Sequence, residues 1–128
     1  MKVSEIKTLI ETSATLRDDL SKYISDYVKW VEKNVPAGME GKFGVGITSD
    51  NRFGTYWGFW NEDLEMYTCT GSSWYVGNDW NCKIVGSSVK QQRNFSKKIP
   101  QYIESGLDAI KKENEEIEEL LKNKLSFD

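Results

Sequence analysis

Residues 41–86 read GKFGVGITSDNRFGTYWGFWNEDLEMYTCTGSSWYVGNDWNCKIVG, and this segment has the alternating pattern of β-strands. Apolar side chains recur at every second position between short clusters of Asn, Asp, Ser and Gly, which are typical of turns. Because loops this short join antiparallel neighbours, we predict an antiparallel β-meander of four to five strands. The predicted strands cover residues 43–48, 53–60, 64–70, 74–76 and 80–85.

The segment before the predicted sheet has the periodicity of a long amphipathic helix. Apolar side chains recur at steps of three and four from residue 4 to residue 34, and Pro36 and Gly38 follow as helix-ending residues. Such a helix is about 45 Å long, which exceeds the roughly 35 Å diameter of a compact domain of this size. Part of the helix is therefore expected to overhang, to kink or to meet a partner.

The segment after the predicted sheet is the second helical stretch. Ser87 and Ser88 are candidate N-caps, and an apolar stripe runs from Ile103 to Leu125. Pro100 is expected to interrupt or to start this helix, because proline fits only the first turn. The pattern as a whole predicts an α+β fold with a long N-terminal helix, the meander and a long C-terminal helix in a single α-β-α domain, residues 1–128. The overlong helices predict a homodimer in which two subunits share a helical seam.

The composition is that of one globular domain. The chain has 128 residues, 29% charged and 38% hydrophobic, with a formal net charge of -3. A pI of about 5.1 does not favour polyanion binding by bulk charge. The N-terminus carries charges throughout and lacks a long apolar run, so we expect no signal peptide, no membrane segment and a cytoplasmic protein.

The residues that would carry catalysis or bind a metal are scarce. The chain has no histidine, which excludes Ser-His-Asp and Cys-His mechanisms and the usual zinc sites. Cys69 and Cys82 form no CxxC motif, and the sequence leaves open whether they pair or are free thiols. Turn chemistry explains acids such as Asp63 and Asp79. We therefore expect a non-catalytic protein without a cofactor or a metal.

Glycine and aromatic residues of the predicted sheet are candidates for recognition. Glycine inside a strand often marks the close approach of another group, which here is a helix of the same chain, a second subunit or a ligand. The tryptophans either fill the space between sheet and helices or stack on a base, a sugar or a partner side chain.

A basic stretch follows the aromatic block, since no acid lies between Asp79 and Glu104. It is either a solvated helix start or, next to aromatic side chains, part of a site for an anionic ligand. The sequence thus predicts a binding protein of the inhibitor or adaptor type that engages a macromolecule through the aromatic and glycine-rich sheet face or its helices. The alternative is a small-ligand binder that holds an anionic, nucleotide-like molecule. The candidate binding residues are Tyr56, Trp60, Trp74, Trp80, Lys83, Arg93, Lys97 and Lys98.

Overall fold

A computed structural model describes residues 2–50, 56–61, 65–70 and 87–127 of the chain. Helix α1 spans Val3–Asn34 and a short 3₁₀ helix spans Glu40–Phe43. Three strands follow, β1 at Gly46–Asp50, β2 at Tyr56–Asn61 and β3 at Glu65–Thr70. Helix α2 spans Val89–Lys122. The fourth and fifth predicted strands lie outside the described residues.

The predicted α+β fold class, organised around an antiparallel sheet, is wrong. The two helices contain 32 and 34 residues, whereas the described strands contain 5, 6 and 6. The described core consists of Ile24, Tyr27, Val28, Val31, Val35, Phe43, Val45, Phe95 and Ile99. By the lengths of its elements the described fold is therefore mainly helical, and the described core lies along α1, the 3₁₀ helix and α2.

The described strands form an antiparallel sheet in the order β1-β2-β3. Phe59 of β2 lies opposite Ile47 of β1 and opposite Tyr67 of β3. The first predicted strand, residues 43–48, starts too early, because Phe43 ends the 3₁₀ helix and Gly44 has a φ of 78°. A positive φ is incompatible with an extended strand, so β1 begins only at Gly46.

The two long helices are in contact along part of their length and run in the same direction. Ser21 of α1 donates a hydrogen bond to Gln92 of α2 at 2.7 Å. Further along both helices, the rings of Tyr27 and Phe95 lie 6.1 Å apart. Because both contacts advance towards the C-termini, the two helices run in the same sense and are not antiparallel.

The 3₁₀ helix inserts a phenylalanine between the long helices. Phe43 is 1% exposed, and its carbonyl accepts a 2.7 Å hydrogen bond from the Tyr27 hydroxyl. On the α2 side its ring lies against Gly106, where an added Cβ would come within 2.5 Å of the ring atoms. Trp30 of α1 places its ring edge on the Phe43 ring, 6.2 Å away. The short 3₁₀ helix thus joins α1 to α2.

Helix α2 begins where the sequence predicts and passes through the residue expected to break it. Ser88 is the N-cap, and its hydroxyl accepts from the Gln91 amide while the Gln91 side chain accepts from the Ser88 amide. Pro100 lies in the helix interior, so the expected interruption at this residue is wrong. The proline ring lies on the exposed side, while its neighbour Ile99 is buried, and tertiary packing holds the helix together.

Both long helices extend past the core at opposite ends. In α1, every residue before Leu20 is exposed except the half-buried Ser13. In α2, every described residue after Ile110 is exposed. We call residues 3–19 the α1 overhang and residues 111–122 the α2 overhang. Among the helices in the described ranges, none has the length and apolar character needed to span a membrane.

Candidate functional site

A groove lies where the α1 overhang meets the first turns of α2. Its volume is about 390 Å³ and apolar side chains supply most of its surface. The groove forms because α2 starts at Val89 and covers only the end of the overhang next to the core. It is lined by Leu9, Thr12, Ser13, Leu16, Arg17, Leu20, Val89 and Arg93. We call it the α1 groove.

The α1 groove continues into an apolar stripe along the overhang. Ile6, Leu9, Ser13, Leu16 and Leu20 follow one another at steps of three and four and so share one helix face. Leu9 and Leu16 are each 62% exposed. A stripe of this kind is the surface with which a helix packs on a partner, because isolated helices gain most of their stability from burying it.

The C-terminal half of α2 carries a second stripe, which we call the α2 seam and which continues into the α2 overhang. Its members are Leu107, Ile110, Asn114, Ile117 and Leu121, spaced alternately by three and four residues. This heptad spacing is the pattern of helices that pack side by side. Ile110 packs on the edge of the core, whereas Ile117 and Leu121 are 44% and 57% exposed, so the C-terminal part of the seam is open to solvent.

The two surfaces differ in local charge. Arg17 and Arg93 flank the α1 groove, and between Val89 and Ile103 helix α2 has four basic residues and no acid. The α2 seam has the opposite character, since residues 113–119 include five glutamates and no base. The charged side chains that line the groove are therefore arginines, whereas glutamates outnumber lysines in the α2 overhang, and each surface favours a partner of complementary local charge.

A second cleft, also of about 390 Å³, lies where the 3₁₀ helix and Asn61 face α2. Asn61 is 2% exposed, and its side-chain amide donates to the Gly44 carbonyl at 2.6 Å and to the Tyr102 hydroxyl at 3.3 Å. Lys42, Gln101 and Ser105 also line the cleft. We call it the tyrosine cleft, since Tyr102 forms its wall.

Burial changes the chemistry of one phenol near these sites. Loss of hydration raises the pKa of the Tyr27 hydroxyl well above its usual range, and the neighbouring Tyr102 and Tyr23 phenols raise it further. The Tyr27 hydroxyl therefore stays protonated and donates to the Phe43 carbonyl. Its role is structural, because the bond fixes the 3₁₀ helix that shapes the tyrosine cleft.

The structure distributes the candidate residues from the sequence over several places. Arg93 lines the α1 groove, Lys97 is exposed on α2 and Lys98 is half-buried. Tyr56 and Trp60 lie in β2, at the two ends of its pairing with β1. Trp74, Trp80 and Lys83 lie outside the described residues. Arg93 and Tyr102 are nine positions apart on α2, about 14 Å along the axis, so the groove and the cleft are separate sites.

Several residues of these sites were missing from the sequence-based candidates. Leu9, Leu16, Ile117 and Leu121 had a signal in the helical stripes, but the sequence analysis assigned those stripes to dimer packing and not to the candidate binding residues. Asn61 had no signal, because its partners lie 17 and 41 residues away along the chain.

The described ranges offer polar groups for binding but no cluster of metal ligands. No group of three or more Asp, Glu, Cys or His side chains there is arranged to hold a metal ion. The described polar groups of the groove and the cleft are amides, hydroxyls, arginines and one lysine, which suit recognition through hydrogen bonds and charge. Comparison of the chain with protein-family models, with curated proteins and with solved structures gives no match.

Proposed function

We propose that this chain is a non-catalytic binding protein of the adaptor or inhibitor type, which engages a macromolecular partner through its two helical overhangs. The observation that carries the proposal is the pair of exposed stripes, the α1 groove and the α2 seam. Contiguous apolar surface of this kind marks interaction sites in monomeric proteins. The cytoplasmic location expected from the sequence is part of this proposal, and fractionation of cells tests it.

The spacing of the exposed apolar residues supports binding of a helix of the partner by these stripes. Leu9 and Leu16 are seven residues apart and Ile117 and Leu121 are four apart, and these spacings suit the anchors of helix-in-groove recognition. Rims of arginine or glutamate add selectivity, since a partner with the wrong charge is repelled.

Capture of partners by the purified chain tests the proposal. The wild type and a Leu9→Glu/Leu16→Glu variant are compared under mild crosslinking in an extract of the source cells. Both leucines are exposed, so the variant keeps its helical content in circular dichroism. We expect the variant to lose macromolecules that the wild type retains.

Phe127→Glu is the control, because Phe127 is 92% exposed and lies beyond α2. Identical recovery by the wild type and the leucine variant contradicts the proposal.

The tyrosine cleft supports a second candidate function, the binding of a small anionic ligand. It combines an aromatic wall at Tyr102, the exposed amide of Gln101 and a cation at Lys42. Thermal unfolding with a panel of nucleotides tests this candidate, because a ligand bound to the folded state raises the melting temperature. A shift in the wild type that Lys42→Gln abolishes and Lys124→Gln retains supports it. No shift with any nucleotide rules out this ligand class.

A further inference from the structure

We propose that the partner of the helical overhangs is a second copy of this chain, with the α2 seam of each copy lying antiparallel in the α1 groove of the other. This inference rests on the proposed function and names the macromolecule that the same surfaces bind. It makes two identical contacts in one dimer, because each copy supplies one groove and one seam.

The direction of the helices is the first argument. Because α1 and α2 run parallel and overhang at opposite ends, a twofold axis perpendicular to them reverses both directions. One copy's α2 overhang then runs along the other copy's α1 overhang, and the same rotation forms the second contact. Such an interface is closed and self-complementary, as in most homodimers.

The lengths agree with this arrangement. The α1 overhang, residues 3–19, is about 25 Å long and the α2 overhang, residues 111–122, is about 18 Å long. The shorter overhang fits on the longer one without meeting the core. Docking buries the apolar side chains of both stripes at once, which is the main favourable contribution to association.

Charge selects this pairing over the alternative in which two α2 seams pair with each other. Seam-to-seam pairing brings together two segments that each hold the five glutamates of residues 113–119. Seam-to-groove pairing brings that segment towards Arg17 and Arg93, which line the groove. The α1 overhang also holds four acids and two bases, but by helical spacing Glu11 and Asp18 lie on the face opposite the stripe. Opposite charges favour the second arrangement, and like charges oppose the first.

The polar residues inside the stripes also find partners in this pairing. Asn114 interrupts the α2 seam, and its amide needs a hydrogen-bond partner once water is excluded. Thr12 and Ser13 present hydroxyl groups in the α1 groove. A single asparagine in a helical seam often fixes which partner and which register a helix accepts.

A charge-swap experiment on the full chain tests the inference. One variant carries Arg17→Glu and Arg93→Glu, and the other carries Glu113→Lys and Glu118→Lys. Multi-angle light scattering is measured for each variant alone and for a mixture of the two. We expect the wild type at twice the chain mass of 14.7 kDa, each variant alone at 14.7 kDa and the mixture again at twice that mass. In the mixed dimer both contacts join opposite charges.

A matched control separates local from global charge effects. Lys22→Glu/Lys33→Glu changes the net charge by the same amount as the arginine variant but lies outside both overhangs. It is expected to stay dimeric. All the substituted side chains are exposed, so circular dichroism is expected to show unchanged helical content in each variant.

Three outcomes overturn the inference. A wild type that stays at 14.7 kDa at high concentration excludes the second copy as partner. Charge variants that remain dimeric alone show that another surface joins the copies. Variants that are monomeric alone and also in the mixture show that groove and seam do not meet. The proposed function fails separately, because it requires the Leu9→Glu/Leu16→Glu variant to lose a captured macromolecule of any kind.

Discussion

Gly44 is the residue at which the chain leaving α1 approaches α2 most closely. Its φ of 78° turns the chain out of the 3₁₀ helix, and its Cα faces the Tyr102 ring. An added Cβ would come within 2.6 to 2.8 Å of three ring atoms. Two separate requirements, backbone conformation and space, therefore select glycine at this position.

Replacement of Gly44 by alanine is expected to destabilise the protein more than the same change at Gly38. Both glycines have positive φ, 78° and 89°, so both variants carry a backbone strain of about 1 kcal/mol. Only Gly44→Ala also forces Tyr102 to move, which adds roughly 1 to 3 kcal/mol. Urea unfolding of the two variants measures the difference. Equal destabilisation contradicts the contact with Tyr102, because nothing lies within 4 Å of a Cβ at Gly38.

The hydroxyl of Tyr27 predicts how stability depends on pH. Burial raises the pKa of this phenol in the folded state, whereas the unfolded chain has the usual value of about 10. Below pH 10 both states are protonated and stability is at its full value. Above it, the unfolded chain loses the proton more readily, so the free energy of unfolding falls by up to about 1.4 kcal/mol per pH unit.

A Tyr27→Phe variant is expected to lack this part of the alkaline loss. Urea unfolding from about pH 8 to about pH 11 compares the slopes of the two proteins. At neutral pH the variant is less stable by roughly 1 kcal/mol, because the Phe43 carbonyl loses its donor. Parallel curves for wild type and variant across the alkaline range count against a buried, protonated Tyr27.

The sequence predicted the role of the glycines only in part. The sequence indicated that a strand glycine accepts a close neighbour, and a helix of the same chain was among the alternatives for Gly44. The identity of that neighbour, Tyr102, depends on how α2 returns across the 3₁₀ helix. No local pattern encodes a contact between residues 58 positions apart.

Among the elements, α2 shows how packing overrides a local rule. Proline inside a helix removes one backbone hydrogen bond and crowds the preceding turn, so the sequence predicted a break at Pro100. The helix continues because Phe95 and Ile99 before it, and Tyr102 and Ile103 after it, pack on the same core. The free energy gained by burying these four side chains exceeds the free-energy cost of one proline in the helix.

Removal of that proline is expected to stabilise the protein. Pro100→Ala restores a backbone donor in the middle of α2 and removes a residue that costs about 3 kcal/mol relative to alanine in a helix. Because Pro100 is exposed, alanine loses little packing, and a gain of about 1 to 3 kcal/mol is expected. Gln101→Ala is the control in urea unfolding, since it introduces the same residue next to Pro100 without a new backbone bond. A Pro100→Ala variant that is less stable than wild type contradicts this account.

The strands explain why the fold class was mispredicted. Alternation of apolar and small residues correctly indicates extended chain in segments such as Tyr56–Asn61, but it does not say how much core that chain supplies. The described core instead joins the stripe of α1 at Ile24, Val28 and Val31 to Phe95 and Ile99 of α2. Those helical stripes were visible in the sequence. The sequence did not show that these stripes would form the described core, because that depends on which surfaces meet in three dimensions.

At the scale of the whole molecule, the core occupies only part of each long helix. The first buried residue of α1 is Ile24 and the last buried residue of α2 is Gly106. The overhangs add exposed apolar surface that a monomer leaves in water, which is unfavourable for a stand-alone domain. A partner that covers both overhangs removes this exposure, and a second copy covers both by one symmetry operation.

Dimerisation through the overhangs makes thermal stability depend on protein concentration. Binding of a partner to the folded state stabilises it by mass action, so the melting temperature of the wild type is expected to rise with concentration. An Ile117→Glu/Leu121→Glu variant puts charge into the seam and is expected to melt at one temperature at all concentrations. Differential scanning calorimetry over a hundredfold concentration range measures both melting temperatures.

Lys111→Glu/Lys122→Glu adds the same two glutamates to the α2 overhang outside the seam, and its melting temperature is expected to rise with concentration as in the wild type. A wild type whose melting temperature does not change with concentration shows that the core is stable alone and that the stripes serve a partner other than a second copy.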